Sequence, residues 1–182
     1  MTATEPILDD GRKRWKMKNN QIYIGVIGDA ECSEEVAQIA YEVGRRIGEA
    51  GAALVCGGRG GVMEAAARGA KSAGGLTVGI LPGVSREEAN PHIDIPVVTG
   101  LRDARNVIIA RSCQVLIAVG GMFGTLSEIA LACKFGVPVV GLRTWTIDRP
   151  GLTSSPIHRA ETPDEAVKMA LEMVRSSSRI PL

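Results

Sequence analysis

From residue 21 onward, short apolar runs rich in β-branched residues are each followed by a turn or a segment of helical periodicity. QIYIGVIGD (21–29), AALVC (52–56), LTVGILPG (76–83), IPVV (95–98), QVLIAVGG (114–121) and VPVVGL (137–142) read as six strands. They are too continuously apolar to leave one face in water. Val36, Ile39, Ala40, Val43 and Ile47 recur at helical spacing, with Ser33 as N-cap ahead of Glu34 and Glu35 and Gly51 as the stop. Further helices are predicted over 62–73, over 102–112 with Val107, Ile108 and Ala110 inward, and over 125–135 up to Gly136. A last one starts at Thr162-Pro163 and runs to about residue 175, while 84–94 and 143–162 have irregular composition. Such alternation requires right-handed crossovers, so the fold class is α/β: a doubly wound, mostly parallel sheet with helices on both faces.

The 182 residues make one domain, 21–182, behind a basic segment, 1–20, that reads as a mobile tail carrying Arg12, Lys13, Arg14, Lys16 and Lys18. A net charge of +1 gives no support for a nucleic-acid or membrane partner, so any preference for anions has to be local. Cys32, Cys56, Cys113 and Cys133 show no Cys-x-x-Cys spacing and no clustering with His92 or His158, which argues against a metal site. Cys56, Cys113 and Cys133 lie in apolar segments and read as buried thiols. The first twenty residues hold no apolar signal region, and no run reaches the roughly 18 residues of a membrane span. A reduced, cytoplasmic protein is expected.

In a sheet of this kind, ligands sit beyond the carboxyl ends of the strands, where the strand order reverses. The loops at Gly28-Asp29, Gly57–Gly61, Pro82-Gly83 and Gly120–Thr125 all leave such ends. A dinucleotide site is disfavoured: the first strand is followed by GDAECSEE, whose acids repel a pyrophosphate, and the second ends in Cys-Gly-Gly without an acid for a ribose. CGGRGGVM places Gly57, Gly58, Arg59, Gly60, Gly61 and Met63 at a strand-to-helix turn. That turn serves either to bare backbone N–H groups to a ligand or to let strand and helix pack closely, and the ligand reading is preferred. VGGMFGTLSE repeats the arrangement with Gly120, Gly121, Met122, Phe123, Gly124 and Thr125, where the last two sit at a helix start suited to an anion. Glu128, one turn in, reads on its own as an exposed acid complementing the helix dipole. Arg102 and Arg105, with Asn106, share a helix face that is either solvated or turned to grip phosphate.

Taken together, CGGRGGVMEAAARGAKSAGGLTVGILPG, RDARNVIIARSCQVLIAVGG and GTLSEIALACKFGVPVVGL resemble the molybdenum-cofactor carrier branch of the Lonely guy superfamily, once labelled lysine decarboxylase-like. The resemblance spans about residues 21–175. It implies a Rossmann-like sandwich that forms a homodimer or homotetramer and holds a nucleotide or phosphorylated pterin in the crevice. Enzymes of the superfamily cleave the N-glycosidic bond of nucleoside 5′-monophosphates with a Pro-Gly-Gly-x-Gly-Thr-x-x-Glu motif and an Arg-Lys pair. Here Gly120 replaces the proline, Met122 the second glycine and Asn106 the lysine, whereas Arg105, Gly121, Gly124, Thr125 and Glu128 match.

These departures favour binding over turnover. Losing a lysine removes positive charge, and Met122 puts a side chain where backbone would meet ligand. The expected function is that of a carrier for a phosphorylated small molecule, molybdenum cofactor or mononucleotide, with no further cofactor required. The alternative is a phosphoribohydrolase using Arg105 and Glu128. No pyridoxal-phosphate signature supports a decarboxylase.

Overall fold

The computed structural model describes residues 21–177 apart from 149 and 152; the basic segment 1–20 lies outside the described residues. Seven strands form one sheet: β1 (Tyr23–Ile27), β2 (Ala53–Cys56), β3 (Thr77–Leu81), β4 (Ile95–Val98), β5 (Val115–Val119), β6 (Val139–Leu142) and β7 (Ile157–Arg159). Their spatial order is β4-β3-β2-β1-β5-β6-β7, and every pairing is parallel. β1 and β5 pair at the centre, Ile24 opposite Val115 and Ile27 opposite Ala118, so the turns after both strands emerge side by side.

Five helices cover the sheet: α1 (Glu34–Glu49), α2 (Val62–Ser72), α3 (Asn106–Ser112), α4 (Phe123–Phe135) and α5 (Pro163–Ser177). One core packs α1, α2 and α5 against Ile24, Val26, Leu54, Val115, Ile117 and Val140. The other packs α3 and α4 against Ile27, Val55, Ile80, Leu116 and Ala118. Strand residues alternate between the two cores, as period-2 pleating requires of a sheet buried on both faces. Among the described residues, no helix is long and apolar enough to cross a membrane.

The predicted caps are present: Ser33 Oγ accepts from the Val36 N–H at 3.3 Å, and Thr162 Oγ1 accepts from Glu165 N–H at 3.2 Å. Three expectations need correction. The 143–162 segment contains β7, whose IHR sequence has a single buried residue, Ile157, and therefore no apolar run to announce it. The 102–112 segment splits into a 3-10 turn (Arg102–Arg105) and α3, and the inward residues of α3 are Asn106, Ile109 and Ala110, with Val107 exposed and Ile108 half-buried. Of the cysteines, Cys56 and Cys113 are buried thiols, but Cys133 is exposed on the outer side of α4.

α1 and α2 meet backbone to backbone. A Cβ on Gly44 would lie 1.9 Å from the Ala66 carbonyl oxygen, and one on Gly69 would lie 2.0 Å from that of Tyr41. The helices have no room to accept even a methyl group without parting. Gly69→Ala should therefore lower the unfolding free energy by about 2 kcal/mol or more in urea titrations. An unchanged midpoint would show that the two helices separate at little cost.

Candidate functional site

The strand order reverses between β1 and β5. From β1 the chain crosses to the α1 side, and from β5 it crosses to the α4 side, so no connection roofs the gap between them. A cavity of about 150 Å³ opens there. Its walls come from the end of β1 with Gly28, Asp29 and Ala30, from Gly57 and Met63, from Asp103, Arg105 and Asn106, and from Gly124, Thr125 and Glu128 of α4.

Arg105 ends the 3-10 turn and reaches across the end of β2. A Cβ on Gly57 would stand 2.5 Å from its Nη2 and 2.6 Å from Met63 Sδ, so glycine is what admits the guanidinium. Nη1 donates to Glu128 Oε1 at 3.1 Å and to Asn106 Oδ1 at 2.6 Å. Asn106 Nδ2 donates to Ser127 Oγ at 3.0 Å, and Ser127 Oγ donates to the Gly124 carbonyl at 2.7 Å. Asn106 thus spends its amide on holding Arg105 and α4 in register. The arginine and glutamate side chains are only 12% and 8% exposed, so the pair is desolvated. Burial pushes the Glu128 carboxyl up to about 7 from its ordinary 4.5, against the opposing pull of the Arg105 charge and hydrogen bond. Glu128 lies in the second turn of α4, inside the cavity, rather than exposed in the first.

Two buried polar atoms in this cluster have no hydrogen-bond partner among the described residues: Arg105 Nε and Thr125 Oγ1. Thr125 is 2% exposed, and its hydroxyl stands where α4 begins with no side chain capping it. Gly121, at φ 107°, turns the chain so that a Cβ there would collide with Thr125 at 2.5 Å. A buried hydroxyl without a partner at uncapped helix N–H groups, in a cavity that a guanidinium also lines, offers hydrogen-bond donors that could meet an anionic oxygen.

The other residues singled out in the sequence lie around this cavity or away from it. Gly28 and Asp29 line it, and Asp29 Oδ1 accepts the Met122 N–H at 2.8 Å, tying the β5–α4 loop to β1. Of the first glycine loop only Gly57 forms part of the wall. Gly58 packs on Leu81, Gly60 and Gly61 pack on the Asp29-Ala30 backbone, and Arg59 points outward, exposed. Pro82 and Gly83 accept backbone bonds from Arg102 and Gly100 rather than facing the cavity. Arg102 is exposed with φ 50°, and Gly120 donates to the Leu142 carbonyl. The Met122 and Phe123 side chains are 64% and 73% exposed outside the walls, where Phe123 lies 5.5 Å from the Trp145 ring and Trp145 Nε1 donates to the Met122 carbonyl.

Sequence reasoning missed Asp103 and Ala30 in the wall. It also missed Asn90, whose Nδ2 donates to the carbonyls of Gly58 (3.2 Å) and Arg59 (2.9 Å) and so holds the glycine loop. Among the described residues no group of three or more His, Cys, Asp or Glu could hold a metal ion.

The model of the SLOG cluster4 family matches residues 21–170. The solved molybdenum cofactor binding protein of Rippkaea orientalis is 36% identical, superposes with TM-score 0.79 and shares 86% of this chain and 99% of its own. The molybdenum cofactor carrier protein of Chlamydomonas reinhardtii is 39% identical, with TM-score 0.75, over 85% of this chain and 99% of its own. A cytokinin riboside 5′-monophosphate phosphoribohydrolase of Mycobacterium tuberculosis is 37% identical over 120 residues, which are 61% of this chain and 64% of the relative.

The raised Glu128 carboxyl has a consequence for stability. Between about 4.5 and about 7 the folded state holds this proton more tightly than the unfolded chain does, so stability falls as pH rises through that window, by about 3 kcal/mol in all. Urea titrations at about pH 4.5 and pH 8 should show Glu128→Gln gaining on the wild type by that amount at the higher pH. A difference independent of pH would place the carboxyl in contact with water.

Proposed function

Because this chain belongs to the SLOG cluster4 family, we propose that it is a carrier-type binding protein for a phosphorylated heterocycle, the molybdenum cofactor or a mononucleotide. The observation that carries the reading is the buried Thr125 hydroxyl at the uncapped start of α4, which, like Nε of Arg105 in the same cavity lining, has no hydrogen-bond partner among the described residues. A phosphate would accept from both, and from the N–H groups of the first turn. The cavity, at about 150 Å³, is smaller than the ~300–1,000 Å³ of pockets that enclose a whole ligand, so it suits the phosphate end while the ring system lies toward the rim. The likeness to the two solved cofactor-binding proteins supports the molybdenum cofactor as cargo. All four cysteines are free thiols, which suits a reducing compartment, and the proposal places the protein in the cytoplasm.

Thr125→Val keeps the shape of the side chain and removes a hydroxyl that has no partner among the described residues. Its affinity for AMP or the cofactor, measured by titration calorimetry, should fall by about tenfold with little change in thermal midpoint, the equivalent of one hydrogen bond to a charged group. Equal affinity in the variant would move the phosphate elsewhere.

A second reading, phosphoribohydrolase, is favoured by Glu128 standing beside Arg105 in the cavity and by the Mycobacterium tuberculosis relative. An ionised glutamate would stabilise oxocarbenium character on the ribose. Here that carboxylate is occupied by Arg105 and held near half-protonation at neutral pH, which favours holding over cutting. Release of free adenine from AMP, abolished in Glu128→Gln, would establish the enzyme.

The reading includes a homodimer or homotetramer. α3 and α4 are the two described helices on their face of the sheet, and Ile95 and Val97 of β4 are left exposed, as are Val107 of α3 and Leu101 ahead of it. Parallel sheets are covered on both faces, and a second copy applied through a two-fold would cover this one. Val97→Lys should shift the protein toward monomer in size-exclusion chromatography with light scattering. A wild-type monomer at all concentrations would overturn this part of the reading.

A further inference from the structure

The cavity presents one positive side chain, Arg105, against three carboxyl groups: Asp29, Asp103 and Glu128. A multiply charged anion cannot settle among these unless negative charge is removed or neutralised. Asp29 is engaged by the Met122 N–H, and Glu128 is engaged by the guanidinium that an incoming anion needs. We propose that the anion seat is proton-coupled: a phosphate entering the cavity takes Arg105 from Glu128, and Glu128 takes up one proton from solvent as it does so. The inference rests on the phosphate-seat reading above and adds the charge bookkeeping of that seat.

The step balances without any further reactant. Above about pH 7 the guanidinium faces an ionised carboxylate before binding; afterwards it faces the anion, and the carboxyl is neutral with a hydroxyl of its own to donate. Each group near Glu128 constrains the assignment. Arg105 reaches it from the end of the 3-10 turn, and Asp103 lies two residues earlier; Asp29 comes from the end of β1. Cys56 at the end of β2 and Cys113 after α3 are pushed by burial to about 12, so both stay neutral thiols. No histidine is among the residues lining the cavity. Glu128 is the most deeply buried of the three carboxyl residues, and its own carboxyl already titrates at about 7, so a second negative charge at the cavity raises it further.

Linkage sets the sign. When the ligand-bound form holds the proton more tightly than the free form, affinity falls as pH rises above about 7. Phosphate esters change their own charge near pH 6, so the clean probe is inorganic sulfate, which stays dianionic throughout, with AMP as the second ligand. Calorimetry at about pH 8 in two buffers of different ionisation enthalpy should show uptake approaching one proton per sulfate bound. Sulfate affinity should weaken up to about tenfold per pH unit between about pH 7 and 8.5. Glu128→Gln should bind sulfate with no proton uptake and with an affinity flat over the same range.

Sulfate binding to the wild type without proton exchange, at equal affinity at pH 6.5 and 8.5, would overturn the coupling and leave the phosphate seat standing. Failure of both sulfate and AMP to bind at any pH would remove the seat itself and the coupling with it. If Glu128→Gln does not fold, the two-buffer measurement on the wild type decides alone.

Discussion

The crevice exists because two neighbouring parallel strands send their chains to opposite faces. β1 and β5 pair in register at the centre of the sheet, but α1 and α4 depart to different sides, and nothing can cross the gap without breaking the order of the strands. Every feature of the site follows from that gap. The start of α4 is left uncapped at its edge, the end of β2 is open to an arginine from the far side, and the β1 turn is free to anchor the β5–α4 loop through Asp29.

Within the gap, the arginine–glutamate contact is organised from behind. Asn106 holds the guanidinium and, through Ser127, the first turn of α4, so side chains from the 3-10 turn, α3 and α4 fix one another. A lysine at 106 would bring a charge but could not accept from Arg105 as Asn106 Oδ1 does. Asn106 acts here as a positioning residue rather than as a second cation.

Strands and helices with whole-segment signals were legible in the sequence: continuous apolar runs, Ser33 and Thr162 at helix starts, Gly51 and Gly136 at helix ends. β7 was not, because an edge strand of three residues buries only Ile157 and leaves no pattern. On α3, Ala110 is inward as expected and Ile108 packs partly buried on the core, but the 3-10 turn ahead of the helix shifts the helical phase, turning Val107 outward and the polar Asn106 inward. Of the candidate cavity, the sequence announces the part where glycine and a helix start coincide, at Gly124-Thr125, both of which line it. The burial of Glu128 was not, since a glutamate one turn into a helix looks the same whether a neighbouring strand edge covers it or water does. The long-range ties of Asp29 to Met122 and of Asn90 to the glycine loop join segments 93 and 31–32 residues apart, and no local signal announces them.

The glycine contact between α1 and α2 sets where this chain is free to change. Hydrogen is already the smallest side chain, so Gly44 and Gly69 have no conservative replacement, and the plate formed by those two helices admits drift only at its outer surface. Around the crevice the opposite holds: Arg59 and the Met122 side chain stand in solvent, and no packed backbone confines them as it confines the two glycines. A fold arranged in this way can alter the rim of its crevice while its frame stays as it is, and the two kinds of change need not interfere.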